Sequence, residues 1–122
     1  MISLEEVLAI HENVVSKTGG SKGVRDLGLL ESAISRPFQS FGGHELYPDV
    51  AGKSAAILES IVKNHPFMDG NKRTGYVLMR SLLLLHGEDI NASEDEKYDF
   101  VIAVAEGRLD FDGIKAWIEA HI

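Results

Sequence analysis

Residues Asn71 to Leu85 contain no proline and a single glycine, and they carry apolar side chains at Val77, Leu78, Met79 and Leu82 to Leu85. Leucines at consecutive positions reach every side of a helix, so the segment predicts a central, buried helix rather than an amphipathic one. His86-Gly87 then supplies a C-terminal cation and a C′ glycine. The start of the helix has the opposite character. It emerges from His65-Pro66-Phe67-Met68-Asp69-Gly70 and carries Lys72 and Arg73 in its first turn, where the helix dipole and unpaired N–H groups favour negative charge. Each such cation costs about 0.3–1 kcal/mol unless something compensates. A bound anion compensates.

Gly70 lacks a Cβ, so neighbouring N–H groups can turn toward one point and a phosphate can approach closely. Glycine is also an ordinary residue at a helix start, and alone it leaves both readings open. Its neighbours add to it. His65 can act as a general base, Asp69 can hold a hard cation such as Mg²⁺, Asn71 can donate to a phosphate oxygen, and Arg73 can fork onto phosphates. All four fall within nine residues. Plainer roles stand beside these: His65 as an idle loop histidine, Asp69 as the N-cap of the helix. Phe67 reads as an apolar anchor of the loop, Thr74 as bonding backward within its helix, and Arg80 as the partner of an acidic side chain. His11, His44, His86 and His121 lack comparable neighbours and read as surface or capping residues.

Local signals mark the other elements. Ser3 with Glu6 forms a capping-box pattern, and Ile2 with Val7 a hydrophobic staple, predicting a helix from Leu4 to Lys17 with a stripe of Leu4, Val7, Leu8, Val14 and Val15. Thr18 to Gly23 reads as a loop. Asp26 caps a second helix, Leu27 to about Arg36, which Pro37 helps to end. Phe38 to Pro48 holds three aromatic residues, two glycines and no helical period, which fits an irregular or hairpin-like flap. A helix follows from Asp49 to Asn64. Within it Gly52-Lys53-Ser54 looks like the tail of a P-loop, but Tyr47 stands where the leading glycine belongs, and that reading is rejected. Ser93 with Glu96 opens a helix to about Glu106, ended by Gly107, and Asp110 opens the last, through Ile114, Trp117 and Ile118. The expectation is an all-α fold of about six helices around a central buried helix, with a short flap that a β-hairpin fits.

At 122 residues and 44% hydrophobic content, the chain suits one compact domain spanning 1–122. The net charge of −7 opposes direct nucleic-acid binding, and the basic residues form no long stripe. The absence of cysteine excludes disulfides and thiolate metal sites and favours an intracellular setting. Met1 to Glu6 does not resemble a signal peptide, and Val77 to Leu85, interrupted by Arg80, falls short of the roughly 20 apolar residues a bilayer needs. A cytoplasmic protein without membrane contact is expected.

The stretch from His65 to Arg73 resembles the signature of the Fic/Doc proteins, His-x-Phe-x-(Asp/Glu)-Gly-Asn-(Gly/Lys)-Arg, with nearly every position filled at the same spacing. Surrounding segments are similar to the Doc, or death-on-curing, branch: Gly23-Val24-Arg25-Asp26, Leu29 to Ala33, Phe41-Gly42-Gly43, Leu46-Tyr47-Pro48 and Lys63-Asn64. The resemblance covers roughly the whole chain. It implies catalysis by His65, Asp69, Lys72 and Arg73, a nucleotide site of Phe67, Gly70, Asn71, Lys72 and Arg73, and Mg²⁺ on Asp69. Most AMP-transferring members have glycine where this chain has Lys72 and a second arginine where it has Tyr76; both positions help seat the phosphates. The Doc branch shares the lysine and binds its nucleotide turned end for end, presenting the γ-phosphate.

The resemblance therefore implies a bacterial or archaeal toxin acting as a protein kinase. It would use ATP or another nucleoside triphosphate to modify a Thr or Ser hydroxyl, by resemblance a threonine of elongation factor Tu, arresting translation. A Fic-type AMP transferase and a catalytically inactive binding module are the rivals. The flap residues Gly42, Gly43, His44, Glu45, Leu46 and Tyr47 would align the target's extended segment by main-chain pairing, or form a plain connection. Some Fic proteins carry an inhibitory (Ser/Thr)-x-x-x-Glu-(Gly/Asn) helix. Here Glu106-Gly107 is the best match, but Ile102 holds the position that needs a hydroxyl. A separate antitoxin of the Phd kind is implied, with a disordered tail that folds into a groove on binding.

Overall fold

Five of six helices begin where a short polar side chain turns back onto the helix's own backbone. Ser3 and Ser93 build capping boxes with Glu6 and Glu96 at the starts of α1 (Leu4–Thr18) and α5 (Glu94–Ala105). Asp26, Asp49 and Asp110 accept the N–H groups of Leu29, Gly52 and Gly113 at the starts of α2 (Leu27–Ser35), α3 (Val50–Asn64) and α6 (Phe111–Ala120). Each cap satisfies an otherwise orphaned donor and stabilises its helix by about 1 kcal/mol. The remaining helix, α4 (Asn71–Leu85), starts at Gly70 with no side-chain cap. It ends as its sequence predicts, at His86, with Gly87 at φ 78° and the Glu88 N–H donating to the Leu83 carbonyl.

The computed structural model describes Met1–Ile122. Its fold is all-α, and its one small sheet pairs β1 (Ser40–Phe41) antiparallel with β2 (His44–Glu45), with Ser40 opposite Glu45 and Phe41 opposite His44. The two intervening residues, Gly42 and Gly43, both have positive φ, as the tight hairpin turn that matches strand twist requires. Pro37 lies in a 3₁₀ turn, Arg36–Phe38, so α2 stops at Ser35 and the chain leaves it already bent toward the flap.

Two apolar clusters fill the interior, and α3 and α4 form the wall between them. Ala51, Ala55, Leu58 and Val62 of α3 with Met79 and Leu83 of α4 face α5 and α6; Ile57 and Ile61 with Leu78 and Leu82 face α1 and α2. The innermost helix is α3, with eleven of its fifteen residues buried, and this corrects the expectation for α4. Leucines 82 to 85 do surround their helix, but the neighbours cover only Leu82 and Leu83; Leu84 and Leu85 are 51% and 71% exposed. Helix α3 can sit inside because its first half is built from Ala51, Gly52, Ser54, Ala55 and Ala56, which let neighbouring helices come close. No helix is long and apolar enough to cross a membrane.

Gly75 sets the spacing of the α3–α4 wall. A Cβ there would lie 3.0 Å from Val62 Cγ2 and 3.3 Å from Leu58 Cδ1, so Gly75→Val is expected to destabilise by about 3 kcal/mol through overpacking, measured by chemical denaturation. Asp49 links the start of α3 to α6, lying 3.3 Å from Lys115 Nζ. The Gly52 N–H, aided by Lys115 against a smaller desolvation effect, holds its carboxyl below the ordinary 3.8. Since folding lowers this pKa, the contribution is complete above 3.8 and fades as pH falls through and below that value. Asp49→Asn should melt below wild type near neutral pH, and the gap should close on acidification toward about pH 2.

Candidate active site

Helix α3 cannot continue past His65, because Pro66 has no N–H to offer and its ring clashes with the preceding turn. His65 caps the helix in the left-handed region, φ 50° and ψ 57°, and its side chain is exposed. The loop beyond is stitched to the segment after α1. Pro66's carbonyl accepts the N–H groups of Arg25 and Asp26 at 2.7 and 3.1 Å, Val24 and Phe67 form an antiparallel bridge, and the Met68 N–H donates to Gly23.

Asn71 closes the loop. Its Oδ1 accepts the Phe67 N–H and its Nδ2 donates to the Phe67 carbonyl, both at 3.0 Å and both buried. The expected role of Asn71 as a phosphate donor is thereby narrowed: the amide's oxygen and one N–H hold the loop, and its second Nδ2 N–H is left at the cleft that Asn71 lines. Phe67 is 1% exposed and stacks on the His11 ring at 3.8 Å. A nucleotide cannot touch it, so Phe67 belongs to the support and not to the nucleotide site. Thr74 is buried too, but its hydroxyl has no partner instead of bonding back along the helix.

His11 is a site residue that sequence reasoning placed on the surface. It is 3% exposed, and its Nε2 lies 2.8 Å from the Asp69 carbonyl; a carbonyl only accepts, so Nε2 carries the proton. The signal was its position, four residues after Val7 and three before Val14 in the buried stripe of α1. A polar ring at such a place has to find a partner inside.

Asp69 is not the N-cap of α4. One oxygen of its exposed carboxylate accepts the Ser21 N–H at 2.7 Å, and Gly70, at φ 78°, takes the cap position. A Cβ on Gly70 would meet Val15 Cγ1 at 3.2 Å, so α1 presses on the turn from behind. The first-turn N–H groups of α4 therefore meet no side chain, and the two residues after Asn71 are exposed cations. Eight of the chain's twelve lysines and arginines pair with a carboxylate, and Arg25 is held by backbone carbonyls. Lys72 and Arg73 are two of the three left without a protein partner. By contrast Arg80 pairs with Asp89 through two bonds of 2.8 and 2.9 Å, as its reading required.

These groups open onto a cleft of about 720 Å³ whose wall includes Asp69 to Arg73, Gly19 and Gly20 after α1, Tyr76, and Lys97, Tyr98 and Val101 of α5. His65 is outside that lining. No trio of His, Cys, Asp or Glu is grouped to cage a metal; Asp69 offers a single carboxylate, which suits Mg²⁺ shared with phosphates and water. In the flap, Gly42, Gly43, His44 and Leu46 are exposed. Tyr47 is tied down: its hydroxyl accepts from Arg36 Nε at 3.0 Å, its ring packs against Phe111, and its carbonyl accepts from Lys53 Nζ. Glu45 pairs with the same buried Lys53 at 3.0 Å. Both side chains root the hairpin, while its tip stays exposed.

Fold and site thus describe a helical protein whose polar loop, braced from α1 and the segment after it, delivers an uncapped cationic helix start to a cleft. The profile of the Fic/DOC family matches residues 1–83. The protein named Toxin Doc from Mycolicibacterium smegmatis is 38% identical over 100 residues, covering 80% of this chain and 77% of that one. Protein kinase doc of Escherichia phage P1 is 32% identical over 114 residues, covering 93% and 88%. The chain belongs to the Fic/Doc family, and these relatives support its Doc branch.

Asn71→Ala would leave the Phe67 N–H and carbonyl buried and unpaired. A loss of about 2–5 kcal/mol is expected, read as a lower denaturation midpoint.

Proposed function

We propose that the chain is a Doc-like toxin, a protein kinase that moves the γ-phosphoryl group of ATP or another nucleoside triphosphate onto a Ser or Thr hydroxyl of a translation factor. A threonine of elongation factor Tu is the target that the resemblance implies. The observation that carries the reading is the start of α4: no side chain caps Gly70, and Lys72 and Arg73 stand unpaired beside Asp69 in a chain that pairs most of its other cations. An uncapped helix N-terminus with two free cations favours anions, and the polyphosphate of a nucleotide fits that preference. The names of the two relatives, a toxin and a protein kinase, agree with it.

In this reading the first-turn N–H groups, Lys72 and Arg73 neutralise phosphate charge, and Asp69 holds Mg²⁺ through its free oxygen. The nucleotide and its metal supply the transferable group and its electrophilic phosphorus. Exposed His65 accepts the proton of the incoming hydroxyl, which reaches it from solvent while the exposed tip of the flap steers the target's extended segment. Catalysis is then mostly positioning and charge stabilisation. Tyr76, where AMP-transferring relatives have arginine, adds no cation farther along the cleft. Glu106 ends α5 and bonds to Arg108 at 2.9 Å, so restraint falls to a separate, Phd-like antitoxin.

Incubating the protein and cell extract with ATP labelled at the α or the γ position tests this. The γ label should remain on the target and His65→Ala should abolish it. Retention of the α label would establish AMP transfer, and growth arrest surviving His65→Ala would establish a binding module. Either sinks the reading.

A further inference from the structure

His65 is the chain's one residue other than glycine with a positive φ. A residue with a Cβ stays in the left-handed region only where its surroundings over-determine it. Those surroundings are supplied by Arg25. Its Nε donates to the His65 carbonyl at 2.6 Å and its Nη2 to the Asn64 carbonyl at 2.7 Å. Its main-chain N–H reaches the next carbonyl, that of Pro66, at 2.7 Å. One residue thus receives three carbonyls in a row.

The consequence is geometric. The relative orientation of the Asn64 and His65 carbonyls is set by the φ and ψ of His65, the residue between them. A planar guanidinium, whose N–H groups have fixed directions, accepts both carbonyls in few relative orientations. It therefore fixes those dihedrals, and with them the direction in which the His65 Cα–Cβ bond leaves the backbone. The cation also lies at the carbonyl end of α3, where the helix dipole favours positive charge. Arg25 is exposed, absent from both apolar clusters, and not part of the cleft lining. Packing and phosphate binding do not account for it.

We propose that Arg25 is the positioning residue of His65: without touching substrate, it locks the backbone that aims the imidazole. The functional part of this rests on His65 being the base of the proposed reaction.

Arg25→Ala removes the fork, and Arg25→Lys keeps the charge at the end of α3 without the planar pair of donors. In isotopically labelled protein, the ¹³Cα and ¹³Cβ shifts of His65 should leave their left-handed values in both variants, while those of Ile57 to Val62 stay helical. Turnover should fall about 10–100-fold, with the KM for nucleotide unchanged within about twofold. Unchanged His65 shifts in Arg25→Ala, a lysine variant equal to wild type in shift and turnover, or a KM that rises with no change in kcat would overturn the proposal. If His65→Ala itself keeps full transfer, the general-base reading fails, and the shift measurements still decide whether Arg25 holds the backbone.

Discussion

The paired hydrogen bonds between the Asn71 amide and the Phe67 main chain fix the turn that leads into α4. A side-chain amide offers a donor and an acceptor about as far apart as those of a peptide group, so it holds the backbone of a turn as a neighbouring strand would. Once Phe67 is held, its ring meets His11, the Asp69 carbonyl falls within reach of the same imidazole, and Gly70 takes the left-handed turn that α1 leaves room for. The bareness of α4's first turn follows from the same bond. The Asn71 side chain is turned backward onto Phe67, the Asp69 carboxylate is turned to Ser21, and the residue at the cap position has no side chain.

Support for this arrangement comes from both sides of the α3–α4 wall. On one side α1 supplies His11, Val14 and Val15 to the loop; on the other, α5 closes the cleft with Lys97, Tyr98 and Val101. The charge distribution serves the same end. In a chain of net charge −7, most cations are neutralised locally, so the field at the cleft mouth is set by the few that are not. Local potential, not net charge, is what an approaching anion meets.

Much of this was legible in the sequence where the deciding interactions span four residues or fewer. Ser3, Asp26, Asp49, Ser93 and Asp110 each cap a helix through a backbone group three positions on, and Asp69 to Arg73 reach one cleft because they are contiguous. What stayed hidden depends on partners far away in the chain. His11 meets Asp69 across 58 residues and Arg25 meets His65 across 40; no local pattern announces either. The tie from Asn71 to Phe67 stayed hidden for another reason, since an amide can serve a phosphate or a backbone equally well and only the fold shows that it holds the backbone. The leucine run misled because hydrophobicity says that a side chain can be buried, while burial itself needs a neighbour, which Leu84 and Leu85 lack.

The flap is fastened at its root through Tyr47 and Glu45, to Arg36 and the buried Lys53, and none of these belongs to the loop or the cleft. Its outer turn, Phe41 to His44, lies free in solvent. The outer turn is thereby mechanically separate from the loop and the cleft, and its residues can change without disturbing either. A hairpin rooted in this way is a graft point: its outer turn could be exchanged whole while the helices beneath keep their packing.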